Sequence, residues 1–167
     1  MAGFLPLLLW ACTREVGWKA TERLVARDFP GVPQVTADTL AARLAGPRPP
    51  VLLDVRAADE FAVSHLPGAR RLEPLAGDAG GIPSDVLALP RDTPIVAYCS
   101  VGYRSAALAT RLKAAGFSDV ANLRRGLFGW ANEGRPVVRG DAPVQAVHPY
   151  DAAWGRLLRP ELRASAR

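Results

Sequence analysis

The sequence predicts an α/β fold, a central parallel sheet with helices on both faces, from three observations. Val51-Leu52-Leu53-Asp54-Val55, Ile95-Val96-Ala97-Tyr98 and Val120-Ala121-Asn122-Leu123 are near-continuous apolar runs of strand length. They do not alternate strictly between apolar and polar residues, so both of their faces are expected to be covered, as in a parallel sheet. A stretch with helical spacing follows each run, which implies repeated strand–helix crossovers.

The chain has 167 residues, 49% of them apolar and 22% charged, with 15 Gly and 15 Pro. That composition suits one compact domain with extensions and excludes a coiled coil, a collagen-like repeat or a wholly disordered chain. Two cysteines, Cys12 and Cys99, cannot form a disulfide scaffold. The net charge is +5, but the arginines are scattered and the few aromatics do not interleave with them. No nucleic-acid partner is expected, while small anions would be attracted.

In chain order, residues 1–33 read as an N-terminal extension. Gly3 to Cys12 is apolar but falls short of the ~20 residues a spanning helix needs. Met1-Ala2 supplies no charged leader, so a cytoplasmic location is expected, with membrane attachment through the N-terminus as the alternative. Thr13 to Phe29 has amphipathic spacing, with Val16, Ala20, Leu24 and Trp18 on its apolar side. Two readings stand for residues 1–29: packing onto the domain, or contact with a membrane surface or partner. Pro30-Gly31-Val32-Pro33 ends the segment.

Residues 34–138 carry the strand–helix pattern. Thr36 is placed to cap a helix through Leu44, with Leu40, Ala41 and Leu44 on one face. A short helix is expected around Asp59–Val63, then a turn over His65-Leu66-Pro67-Gly68-Ala69. Residues 76–93 read as a loop with one helical turn near Ser84–Leu87. Helices are predicted over Ser105–Ala115, stopped by Gly116, and over Leu127–Asn132. Residues 139–167 form a C-terminal extension whose Tyr150, Trp154, Leu157 and Leu158 favour packing onto the domain.

Chemistry in an open α/β sheet is expected just beyond the carboxyl ends of the strands. That position holds Cys99, followed by Ser100-Val101-Gly102-Tyr103-Arg104-Ser105. A strand, a tight loop and a helix N-terminus in succession make an anion-binding bowl of backbone amides. Gly102 permits the positive φ a curled loop often requires, and Arg104 adds charge at the rim. A thiol in such a setting ionises readily and serves as a nucleophile. The expectation requires amides facing the sulfur and a sulfur open to solvent. Neither His65 nor His148 lies near Cys99 in sequence, and no metal or cofactor is implied.

Three blocks in order resemble the single-domain rhodanese (sulfurtransferase) family over Gln34 to about Val138. They are Leu52-Leu53-Asp54-Val55-Arg56 with Glu60-Phe61 and His65-Leu66-Pro67-Gly68-Ala69; Cys99 to Ser105; and Asn122-Leu123-Arg124-Arg125-Gly126-Leu127 with Trp130. The resemblance implies a rhodanese-like fold and sulfane-sulfur transfer from a small anionic donor, such as thiosulfate or a persulfide, to a thiol or protein acceptor. Cys99 would carry the sulfur as a persulfide, held by the amides of Ser100 to Ser105. Arg104 would orient the anionic donor, and Ser105 would cap the helix with its hydroxyl facing the sulfur. Asp54 and Arg56 match the family's acidic–basic pair and read as structural support. His65 reads as a satisfied loop residue and Trp130 as core. Ser64 and Arg125 stand where the family usually has glycine, and a positive φ at Arg125 would cost about 1–3 kcal/mol.

Cysteine-dependent phosphatases place five residues between Cys and Arg, whereas four separate Cys99 from Arg104. The smaller bowl suits a sulfur atom rather than phosphate. A reading of a different class remains: a rhodanese-like interaction module without turnover, with residues 1–33 and 139–167 serving a partner or a membrane.

Overall fold

The computed structural model describes residues 4–73 and 81–165, with side chains from residue 14 onward. Part of the expected 76–93 loop therefore lies outside the described residues, as do the side chains of the apolar 3–12 stretch and of Cys12.

Among the described residues, five strands form a wholly parallel sheet in the order β1-β5-β4-β2-β3: β1 Gln34–Val35, β2 Val51–Asp54, β3 Arg70–Arg71, β4 Ile95–Tyr98 and β5 Val120–Leu123. The three longer strands fall where the apolar runs place them. The alternating side chains of each strand feed two separate cores. Leu52, Val96, Tyr98 and Ala121 point to one face, where α2 (Ala37–Leu44) and α6 (Gly126–Asn132) bury Leu40, Leu127, Phe128 and Trp130. Leu53, Ile95, Ala97, Cys99 and Val120 point to the other, against Val86 of α4 (Ser84–Leu87) and Leu108, Ala109 and Leu112 of α5 (Tyr103–Ala114). Helices thus cover both faces, as predicted.

Local signals place several ends. The Thr36 hydroxyl accepts the Thr39 amide at 3.1 Å and caps α2. Helix α3 (Ala58–Val63) leads into the 65–69 turn, where the His65 amide and carbonyl bond Val138 of strand β6 (Val137–Arg139). Strand β6 pairs antiparallel with β7 (Ala142–Val144), a hairpin the sequence did not signal because Pro143 lies within it.

Both extensions pack onto this frame. Helix α1 spans Phe4–Asp28, and its buried face is Trp18, Thr21 and Val25. Of the predicted face, Trp18 is buried and Leu24 half-buried, but Val16 is 68% exposed and Ala20 is exposed, a partial rotation from the expected stripe. Thr21 can face inward because its hydroxyl donates to the Gly17 carbonyl at 2.9 Å within the helix. At the other end, Val147, Leu157 and Leu158 are buried around the short 3₁₀ turns Trp154–Leu157 and Pro160–Leu162. A Cβ at Gly17 would stand 2.7 Å from Leu157, so α1 and the C-terminal segment meet closely. Among the described residues, no helix is long and apolar enough to cross a membrane.

Candidate active site

Cys99 follows β4 directly, and its Sγ accepts the Gly102 amide at 3.1 Å. Gly102 takes φ +98° and is the residue that precedes α5. A Cβ there would also press on Leu123 O at 3.2 Å and Asn122 Nδ2 at 3.3 Å, so glycine is needed for shape as well as φ. The helix therefore opens two residues before the predicted Ser105. Its first-turn amides, from Tyr103 to Ser105, lack acceptors inside the helix and lend the bowl positive character.

The loop is clamped from three sides. The amides of Leu127 and Phe128, opening α6, donate to the carbonyls of Cys99 at 2.8 Å and Ser100 at 3.0 Å. Gly126 has φ +52°, and any Cβ on it would collide with the carbonyls of Cys99 and Ser100. Asn122 of β5 donates to the Gly102 carbonyl at 2.9 Å and accepts the Ser105 hydroxyl at 2.6 Å. Ser105 thus buttresses the loop; its hydroxyl does not face the sulfur, and the capping position belongs to Gly102.

The third clamp is Glu60, 2% exposed, a residue the sequence placed in a motif but gave no role. Its carboxylate accepts the Ser100 hydroxyl at 2.7 Å, the Ala57 amide at 3.1 Å, and both terminal nitrogens of Arg104 at 2.9 Å. Burial opposes ionisation of this carboxyl, but Arg104, Ser100 and the Ala57 amide outweigh it and hold it below the usual carboxylate range. Only folding brings it to Arg104, 44 residues away, so spacing carried no hint. The positive charge expected at the rim is present but paired. Arg104 is neutralised by Glu60, also donates to Ser100 Oγ at 3.1 Å, and lies under the Tyr150 ring at 4.9 Å. Despite burial, its pKa is raised by Glu60 and by the nearby Cys99 sulfur.

Asp54 and Arg56 form an enclosed pair at the end of β2. Both side chains are inaccessible, joined by bonds of 2.7–3.1 Å, and Arg56 also donates to the Ser64 carbonyl at 2.7 Å. His65 stacks on Phe61 at 3.8 Å, with Nδ1 3.1 Å from the Phe61 carbonyl, and Trp130 donates to the Pro136 carbonyl at 2.8 Å. Arg125 adopts φ +62°. Its guanidinium reaches α1, pairing with Glu22 at 2.6 Å and Glu15 at 2.8 Å and lying 5.3 Å from the Trp18 ring. Tyr103 likewise donates to Asp28 at 2.9 Å, and its ring meets Phe29 edge-on at 5.2 Å.

Cys99 is 1% exposed, so the open bowl expected from sequence is roofed. It borders a cleft of about 210 Å³ whose other walls include Leu24 of α1, Val101, Tyr103, Tyr150 and Trp154. A larger shallow hollow, about 430 Å³ between Phe61, His65, Gly68 and Arg139, contains no cysteine. The smaller cleft is therefore the candidate site.

A family model described as rhodanese-like domain matches residues 36–133. A protein named sulfurtransferase from Allochromatium vinosum is 33% identical over 107 residues, spanning 64% of this chain and 95% of its own. The thiosulfate sulfurtransferase GlpE of Stutzerimonas stutzeri is 33% identical over 103 residues, spanning 62% of this chain and 85% of its own. The crystal structure of a rhodanese-like domain protein from Staphylococcus aureus superposes with a TM-score of 0.52 at 29% identity, covering 62% of this chain and 95% of its own. Leu24, Tyr150 and Trp154 all lie outside the matched residues.

Proposed function

The chain belongs to the rhodanese-like family, and on that premise we propose that it is a sulfurtransferase working through a Cys99 persulfide. It moves a sulfane sulfur from a donor such as thiosulfate or a persulfide to a thiophilic acceptor. The observation that carries this reading is the Gly102 amide aimed at Cys99 Sγ from the mouth of α5.

In the first half-reaction the Cys99 thiolate forms an S–S bond to the outer sulfur of the donor. The donor's own bond to that sulfur breaks and its electron pair leaves on sulfite or on a thiolate. In the second, an acceptor thiolate or cyanide takes the outer sulfur and returns Cys99 to its starting state. Both steps are displacements that need no external oxidant or reductant. Backbone donors that are already oriented stabilise the anionic persulfide without reorganising. Ser100 and Arg104 act by shaping the loop, since Glu60 holds them both. Val101 and Tyr103 contribute walls.

The test is intact-protein mass after incubation with thiosulfate or an organic persulfide. Gain of one sulfur atom, lost in Cys99→Ser and removed by cyanide, is the expected result. The burial of Cys99 favours a second reading, a non-catalytic module. A protein that gains no sulfur from either donor would establish that reading instead.

A further inference from the structure

The cleft walls bear on which donor reaches the sulfur. We propose that Tyr150 and Trp154 of the C-terminal segment, with Leu24 of α1, are specificity-determining residues that fit the Cys99 cleft to an organic persulfide with a slender, uncharged apolar R group, in preference to thiosulfate or to a persulfide whose R group carries charge. This rests on the sulfur-transfer reading above and narrows its substrate class.

Charge, not size, decides the selection. A cleft of about 210 Å³ has room for thiosulfate as well as for a short alkyl persulfide. Its walls, however, are Leu24, Val101, Tyr103, Trp154 and Tyr150 around the sulfur, and the one charged residue among them is Arg104. Glu60 already takes both terminal nitrogens of that guanidinium, and the Tyr150 ring lies over it. An added anionic group entering here sheds its water against apolar side chains and meets a single guanidinium already shared with Glu60. An uncharged R group instead gains by leaving water.

The placement of Tyr150 is itself costly. It holds φ +67°, a conformation unfavourable to a non-glycine residue, while its side chain is 47% exposed. Core packing does not account for that. Local bonds impose it: the Tyr150 amide donates to His148 Nδ1 at 3.0 Å, and Asp151 Oδ1 accepts the amides of Ala153 and Trp154 at 2.8 and 2.7 Å. Strain maintained at the mouth of a reactive site points to a use for the ring there.

The reaction balances for this donor. The Cys99 thiolate bonds to the outer sulfur of R–S–SH, and the inner S–S bond breaks. R–S⁻ departs and takes up the proton, leaving R–SH and the Cys99 persulfide anion.

The experiment compares loading rates of the full chain, by mass, with propyl persulfide and with 3-sulfopropyl persulfide, which share a reacting group and differ in charge. The propyl donor is expected to load about tenfold faster. Tyr150→Ala and Trp154→Ala should each bring the two rates within about threefold of one another, and Tyr150→Phe, which keeps the ring, should preserve the wild-type ratio. Unchanged thermal melts establish that the variants are folded. Equal rates in the wild type, or a ratio that survives both alanine variants, overturns the specificity assignment and leaves sulfur transfer standing. Failure of both donors to add sulfur overturns both.

Discussion

Asp54–Arg56 and Glu60–Arg104 are both carboxylate–guanidinium pairs joined by more than one hydrogen bond, at closest distances of 2.7 and 2.9 Å. The first joins residues two apart and is wholly enclosed, with Arg56 turned onto the Ser64 carbonyl and lying 5.8 Å from the Tyr98 ring. The second spans 44 residues and leaves Arg104 one-third exposed at the cleft. One pair fastens the end of β2 to the segment that follows it. The other fastens the Cys99 loop to α3 and in doing so pairs the one charged side chain that lines the cleft. Similar chemistry thus serves stability in one place and the shape and polarity of a reactive cleft in the other.

Substitutions should separate the two. Arg56→Met strands the Asp54 carboxylate in the interior, and a loss of about 3–5 kcal/mol is expected in denaturant melts. A loss under about 1 kcal/mol would mean the pair is not the fastening described. Glu60→Gln leaves Arg104 without its counter-ion and weakens the hold on Ser100. Stability should fall by about 1–3 kcal/mol, and sulfur loading should slow by about tenfold, equivalent to ~1.4 kcal/mol in the barrier. Wild-type loading in this variant would show that the loop keeps its shape unaided.

Acid sharpens the contrast. The Glu60 carboxyl lies below its ordinary value of 4.5 in the folded protein, so its contribution is complete above that pH. It fades as pH falls through the lower folded-state value. Melts of wild type and Glu60→Gln should therefore differ at pH 6 and converge on acidification; a gap that stays constant to pH 3 would sink the assignment. The smallest effect is expected at Arg48–Asp92, whose side chains are largely exposed. Arg48→Ala should cost no more than about 0.5 kcal/mol, which calibrates what a carboxylate–arginine pair contributes without burial.

What could be read from the chain follows the range of the forces involved. The strands β2, β4 and β5 were legible because burial on both faces requires uninterrupted apolar runs. Thr36 was legible because capping is local. The onset of α5 was missed because Gly102 precedes it in a left-handed conformation with no capping side chain, which moved the start to Tyr103. The buried face of α1 was missed because Thr21 is polar in sequence and satisfied in structure. At the site, the place of Cys99 after β4, the need for glycine at position 102 and the Asp54–Arg56 pair were legible from adjacent residues. Glu60, the neutralised Arg104 and the roof of Tyr150 and Trp154 were not, since each depends on segments that only folding brings together. Arg125 is the converse case: the positive φ was anticipated, but the reason to accept it, a grip on Glu15, Glu22 and Trp18, lies more than 100 residues away.

Three residues of the cleft, Leu24, Tyr150 and Trp154, come from segments distant in sequence from the single stretch after β4 that supplies Cys99 and the remaining walls. On the reading proposed above, exchange at positions 24, 150 and 154 should retune what enters while leaving the Cys99 loop as it is. Gly126 has no such latitude, because any side chain there would strike the backbone carbonyls of Cys99 and Ser100.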